Sequence, residues 1–197
     1  MQVRGAAMVA AAIVLVGGLL GGCSGGDDEP AATPAPSTPA PSASAAPGDV
    51  TCTDKAGDSV DPSLDLLAVR LARTGKNVRV IFDSTEVPEK DPVSWVAGFV
   101  SADGKHTVEL TAERRRNGDF AHAIVVDGEE DGVDDVVRLT AEGMTTVFPV
   151  KAIDALGAGV RWYAVVSVNG DDIDLCPGDV ELREVLDIVP LTLPAGW

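Results

Sequence analysis

The side chains able to do chemistry in this chain are above all carboxylates, 31 Asp and Glu against 15 Lys and Arg, with two histidines and three cysteines beside them. Two segments concentrate the acidity. Asp127-Gly128-Glu129-Glu130-Asp131-Gly132 sets carboxylates at alternate positions ahead of a glycine, and Asp171, Asp172 and Asp174 follow an Asn169-Gly170 turn. Such oxygens are hard donors that suit calcium or magnesium, and the plainer reading of both segments is a solvated acidic turn. In the first segment the cation pattern fails at its end, because Arg138 stands where the last ligand of a helix-flanked calcium loop would have to be a bidentate Glu.

The remaining reactive groups nominate no catalytic constellation. His106 lies beside Gly104 in a turn and reads as solvated, while His122 reads as a core histidine with one satisfied hydrogen bond, a metal ligand or base being the alternative. Met144 is the one methionine after residue 22, too few sulfur ligands for a copper site built on Met and His. Neither a phosphate-cradling glycine loop nor a His-Glu-x-x-His helix is present. The chain is therefore expected to bind rather than to catalyse. An enzyme with an unidentified carboxylate-based site is the alternative kept open.

These groups must be positioned by strands. Val and Thr are frequent, helical apolar spacing is scarce, and short runs separated by Gly, Pro, Asn and Asp recur. Strands are predicted over Leu64–Ala72, Val78–Phe82, Trp95–Ser101, Thr107–Glu113, Phe120–Val126, Val136–Thr140, Met144–Val150 and Val160–Val168. The predicted fold is all-β: a single antiparallel β-sandwich, Ig-like or jelly-roll-like, of about eight strands over residues 49–178. Lys151–Leu156 reads as one helical turn. Residues 179–197 read as a C-terminal extension, with a short helix over Asp179–Asp187 supported by Leu182, Val185, Leu186 and Val189 and ended before Pro190.

The hairpin at Asn117-Gly118 has two possible registers. A two-residue loop pairs Arg116 with Asp119; a bulged loop with Gly118 left-handed pairs Arg115 with Asp119 and joins Phe120, Ile124 and Val126 to Val108, Leu110 and Ala112. The second buries more apolar surface and is preferred, and it turns His122 inward opposite Ala112. Trp95, in step with Ala97 and Phe99, and Trp162, in step with Val160, Ala164 and Val166, read as core, which leaves Tyr163 and Trp197 as aromatics open to a sugar ring. Arg114-Arg115-Arg116 at the hairpin tip is the one basic spot in an acidic chain.

Upstream of the strands the chain changes character. Arg4 and the amino terminus precede an apolar run, Ala6 to Val16, and residues 1–22 read as a secretory signal peptide. Leu20-Gly21-Gly22-Cys23 resembles the lipobox of bacterial lipoproteins, which implies cleavage before Cys23 and acylation of its thiol with palmitate-type chains. An uncleaved anchor is the alternative, since no charge lies between Arg4 and Asp27. Either way the rest lies on the extracytoplasmic face of the cell membrane. Residues 23–48 read as a disordered linker: Pro30 to Gly48 holds only Pro, Ala, Thr, Ser and Gly, with nothing large to bury, and 25 steps at polyproline rise reach at most about 80 Å.

If Cys23 carries lipid, Cys52 and Cys176 remain as one pair, and an exported protein can bridge them; two separate buried thiols are the alternative. The formal charge of −16, or −17 once Arg4 leaves with the signal peptide, argues against nucleic acid as a partner. It equally serves plain solubility.

Asp54-Lys55-Ala56-Gly57-Asp58, followed by Leu64-Asp65-Leu66 and the alternating Val69-Arg70-Leu71, is similar to the opening strand of family 9 carbohydrate-binding and DOMON-like sandwiches. Members of that group bind sugars, haem or structural calcium. The resemblance implies Asp58 and Asp65, with Asp54 beside them, as ligands of a structural calcium ion; no Met/His pair stands out for haem. The leading expectation is a lipid-anchored, non-enzymatic module that needs no cofactor and binds an unidentified envelope protein or glycan. A calcium-stabilised carbohydrate-binding module is the alternative.

Overall fold

Alternation of apolar and polar residues converts directly into two packed antiparallel sheets in the computed structural model, which describes residues 48–134, 137–178 and 190–197. Cys23, the signal peptide, the linker up to residue 47 and the helix expected over Asp179–Asp187 lie outside the described residues. In chain order the elements are β1 (Asp49–Thr53), β2 (Leu66–Thr74), β3 (Asn77–Ser84), β4 (Val93–Val100), β5 (Thr107–Arg114), β6 (Phe120–Val126), β7 (Glu129–Gly132), β8 (Arg138–Thr140), β9 (Gly143–Pro149), α1 (Lys151–Ala155), β10 (Arg161–Val168), β11 (Asp171–Cys176) and β12 (Leu191–Thr192). One sheet runs β1-β2-β3-β9-β8. The other runs β11-β10-β4-β5-β6-β7, with β12 also on β10.

The core is what the alternation demands. Leu71, Val78, Val80, Phe82, Met144 and Phe148 project from the first sheet onto Trp95, Ala97, Phe99, Val108, Leu110, Trp162 and Val166 of the second, and all are buried. Each Val, Leu, Phe or Met among them contributes about 1.5–3 kcal/mol by leaving water. Trp95 and Trp162 are both fully buried, as the period-two reading requires. The β5–β6 hairpin takes the bulged register: Arg115 N–H donates to Asp119 O at 2.8 Å, Gly118 is left-handed at φ 87°, and Ala112 faces His122.

Four strands go beyond the eight expected. β1, β7, β11 and β12 are short or acidic, and each is held by a neighbour's ladder rather than by its own pattern. Leu191–Thr192, within the segment read as a C-terminal extension, pairs with Trp162 and Arg161 of β10. Lys151–Ala155 is helical as read, with Ile153 buried.

Cys52 of β1 and Cys176 of β11 are bonded, with Cα atoms 6.0 Å apart. These strands are the outermost of their respective sheets, so the disulfide sews the two sheets together along one side of the sandwich. It closes a separation of 124 residues, for which loop-closure entropy gives about 4–5 kcal/mol. The Cys52→Ser/Cys176→Ser double variant is expected to lose about 2–5 kcal/mol in denaturant unfolding, and both thiols of the native protein should resist alkylation until reduced. Ready labelling of unreduced, natively folded protein would contradict the bond.

Candidate functional site: a carboxylate cluster at the joined sheet edges

The segment from Asp54 to Asp65 crosses from β1 to β2 beside the disulfide, and its polar side chains are used to fold it. Asp54 N–H donates to Leu67 O at 2.9 Å, continuing the β1–β2 ladder by one rung. Gly57, left-handed at φ 86°, turns its N–H onto the Asp65 carboxylate at 2.9 Å, and Ser59 N–H reaches the same group at 3.4 Å. The Ser59 hydroxyl sits 2.7 Å from Leu64 O and 3.1 Å from Ile173 O, while Val60 N–H donates to Ile173 O. The crossing loop is thus pinned to β11 in the other sheet.

Asp174 completes the join. It is almost entirely buried, and its two oxygens accept Leu66 N–H at 2.7 Å and Leu175 N–H at 2.9 Å. One carboxylate oxygen each of Asp54, Asp58 and Asp174 lie within 4.8 Å of one another. Asp54 Oδ2 and Asp58 Oδ1 are screened from water and meet no hydrogen-bond donor. Burial, and then the charges of Asp174 and Asp58, push the Asp54 carboxyl up to about 8. Burial likewise raises Asp174 to about 6 against the pull of the Leu66 and Leu175 amides.

Three crowded carboxyls can be relieved by protons or by a cation. Oxygens on one calcium ion, bonded at about 2.3–2.6 Å, can be up to about 5 Å apart, whereas those across a magnesium ion are only about 4.2 Å apart. Oxygens that all lie within 4.8 Å of one another fit inside the span of a calcium shell. Asp54, Asp58 and Asp174 would hold such an ion as hard oxygen donors.

Of the three aspartates read from the sequence, Asp54 and Asp58 come together here, whereas Asp65 holds the Gly57 and Ser59 amides. Asp174 takes the third place. A signal for it exists: Asp54 lies two residues after Cys52 and Asp174 two before Cys176, so the bond that joins the edge strands of the two sheets brings both carboxylates to one place.

The other chemistry-bearing groups are spoken for locally. Asp127 accepts Thr107 N–H at 2.8 Å and pairs with His106 Nδ1 at 2.9 Å, which fixes the β6–β7 turn, and Glu129–Gly132 forms an exposed strand rather than a loop. His122 Nε2 lies 2.6 Å from Thr146 Oγ1 and its ring packs on Phe148. Arg114 is not part of an exposed basic tip: it is buried, and its guanidinium donates to Pro88 O and Asp91 O. Trp197 lines a cavity of about 390 Å³ with Ile153, Val160, Leu193 and Pro194, and Tyr163 lies against Gly98. Comparison with known proteins returns no match: no family model, no curated protein and no solved structure matches this chain.

Because Asp54 and Asp174 titrate above the ordinary carboxyl value of 3.8, the folded protein holds protons that the unfolded chain has released. Their contribution to stability is complete below the unfolded value and is lost as pH rises through about 6 and then about 8. In chelator, Asp54→Asn should flatten the fall in melting temperature between mildly acidic and mildly alkaline pH. At the alkaline end it should gain on the order of 1–3 kcal/mol, the range for relieving one crowded like-charge contact. A variant that tracks wild type at every pH would refute the crowding.

Proposed function

We propose that this chain is a lipid-anchored, non-enzymatic binding or interaction module of a bacterial cell envelope. Cys23 anchors it in the cell membrane, residues 23–48 lift it, and the sandwich faces outward to meet an envelope protein or glycan. The observation that carries this reading is the Cys52–Cys176 disulfide. Such bonds persist in oxidising compartments, and this one uses two of the three cysteines, leaving Cys23 for lipid. Binding rather than catalysis is supported by the two histidines: His106 is held by Asp127, and the hydroxyl facing His122 belongs to Thr146, which is 1% exposed. The acidic balance disfavours nucleic acid as the partner.

The convergence of Asp54, Asp58 and Asp174 favours a second reading, a calcium-stabilised carbohydrate-binding module. Calcium would neutralise the cluster and tie the β1–β2 crossing to β11. For the sugar, the support is narrower: Trp95 and Trp162 are in the core, and Trp197 beside its cavity is the aromatic placed to meet a ring.

Two experiments separate these readings. Mass spectrometry of native protein should find an N-terminus at Cys23 bearing a diacylglycerol-type adduct, and Cys23→Ala should appear soluble in the medium; a variant still bound to membrane would sink the lipid anchor. Thermal melts in chelator, calcium and magnesium test the ion. Calcium at a hundredfold excess over its Kd should add about 2.7 kcal/mol, magnesium less, and Asp58→Asn should lose the gain. An equal midpoint in all three conditions would eliminate calcium and leave the plain binding module.

A further inference from the structure

The side of the sandwich opposite the disulfide is built differently. There the first sheet ends in the three-residue β8, and the second continues through β6 to β7. The inward row of β6 is consequently only partly covered: Phe120 is 39% exposed and Val126 40%, two of the three large apolar side chains left exposed among the described residues. His122 and Ile124 lie between them in the same row.

β7 is the last strand of its sheet, and all four of its residues are exposed. Its backbone polarity can be worked out. Val133 N–H donates to His122 O, so residue 133 faces β6; antiparallel ladders alternate, so Asp131 and Glu129 face β6 as well. The N–H and C=O groups of Glu130 and Gly132 therefore point away from the sheet, and among the described residues no strand meets them. Such an edge is a template for one more strand.

The side chains select which strand. Glu129 and Asp131 share the face of Val126 and Ile124, and Glu130 shares the outer face with Val125. Carboxylates on both faces repel a second copy of the same edge and attract Lys and Arg, whose long apolar stems can reach back toward Val126, opposite Glu129. We propose that β7, with the exposed row of β6, docks an extended cationic segment of a partner protein as an added strand. This specifies the partner class of the binding reading above and rests on that reading; the anchor and calcium experiments stand or fall separately.

The test uses the full chain in nonionic detergent and three peptides. One alternates Lys with Val, one has the same sequence with alternate backbone nitrogens methylated to remove the ladder donors, and one alternates Glu with Val. The Lys/Val peptide should bind, weaken with salt, and protect the Glu130 and Gly132 amides from hydrogen exchange. Methylation should weaken it about tenfold or more, and so should Gly132→Pro, which removes an outward N–H without changing charge. Glu129→Lys/Glu130→Lys should abolish binding, and the Glu/Val peptide should not bind wild type. Equal binding of the methylated peptide, absence of protection at those two amides, or no binding at all would overturn the proposal and leave the acidic edge as a guard against self-pairing.

Discussion

The join between the outermost strands of the two sheets organises the whole structure. Sheets of this kind bury one face each, and their edges stay open unless something ties them. Here the tie is threefold at one place: the Cys52–Cys176 bond, the Leu66 N–H donated to Asp174, and the Ser59 and Val60 groups on Ile173 O. All three run through β11, whose Asp171, Asp172 and Asp174 would hardly form a strand alone. β-Propensity reflects the surface a strand packs on more than its own composition. β11 exists because β10 offers a ladder and the crossing loop grips its far edge.

That join has an electrostatic consequence. A buried carboxylate such as Asp174 is tolerable because two backbone amides solvate it, but the same geometry brings Asp54 and Asp58 within 4.8 Å. Two unit charges at that separation repel by about 3 kcal/mol at the effective dielectric of a partly buried site. The repulsion of a single ionised pair is thus comparable with what the neighbouring disulfide contributes. The cluster cannot be a neutral by-product of folding: at any pH it needs protons, a cation, or some loss of stability in the loop that binds the sheets.

How far the sequence discloses this follows from depth and pairing. The strands with the cleanest alternation, β3 and β5, are legible because each shows one face to the core. β1, β7 and β11 are not, because ladders from β2, β6 and β10 hold them in place. The site is half legible for the same reason. Asp54 and Asp58 stand next to a recognisable turn, but Asp65 is spent on the Gly57 amide, and Asp174 looks from sequence like one more acidic turn residue. Only the cysteine pairing relates residues so far apart along the chain.

The contrast between the two sides of the sandwich shows why composition alone misleads here. Asp54, Asp58 and Asp174 converge where the sheets are tied, and Glu129, Glu130 and Asp131 line the side that is left open. In the first group water is kept from the facing oxygens, so charge is costly and must be neutralised within the fold. In the second, water screens the charge, and repulsion between like edges keeps the strand from pairing with its own kind. A net charge of −16 sums these opposed roles into one number, and it is solvent access that separates the carboxylates that constrain the fold from those that are free to select a partner.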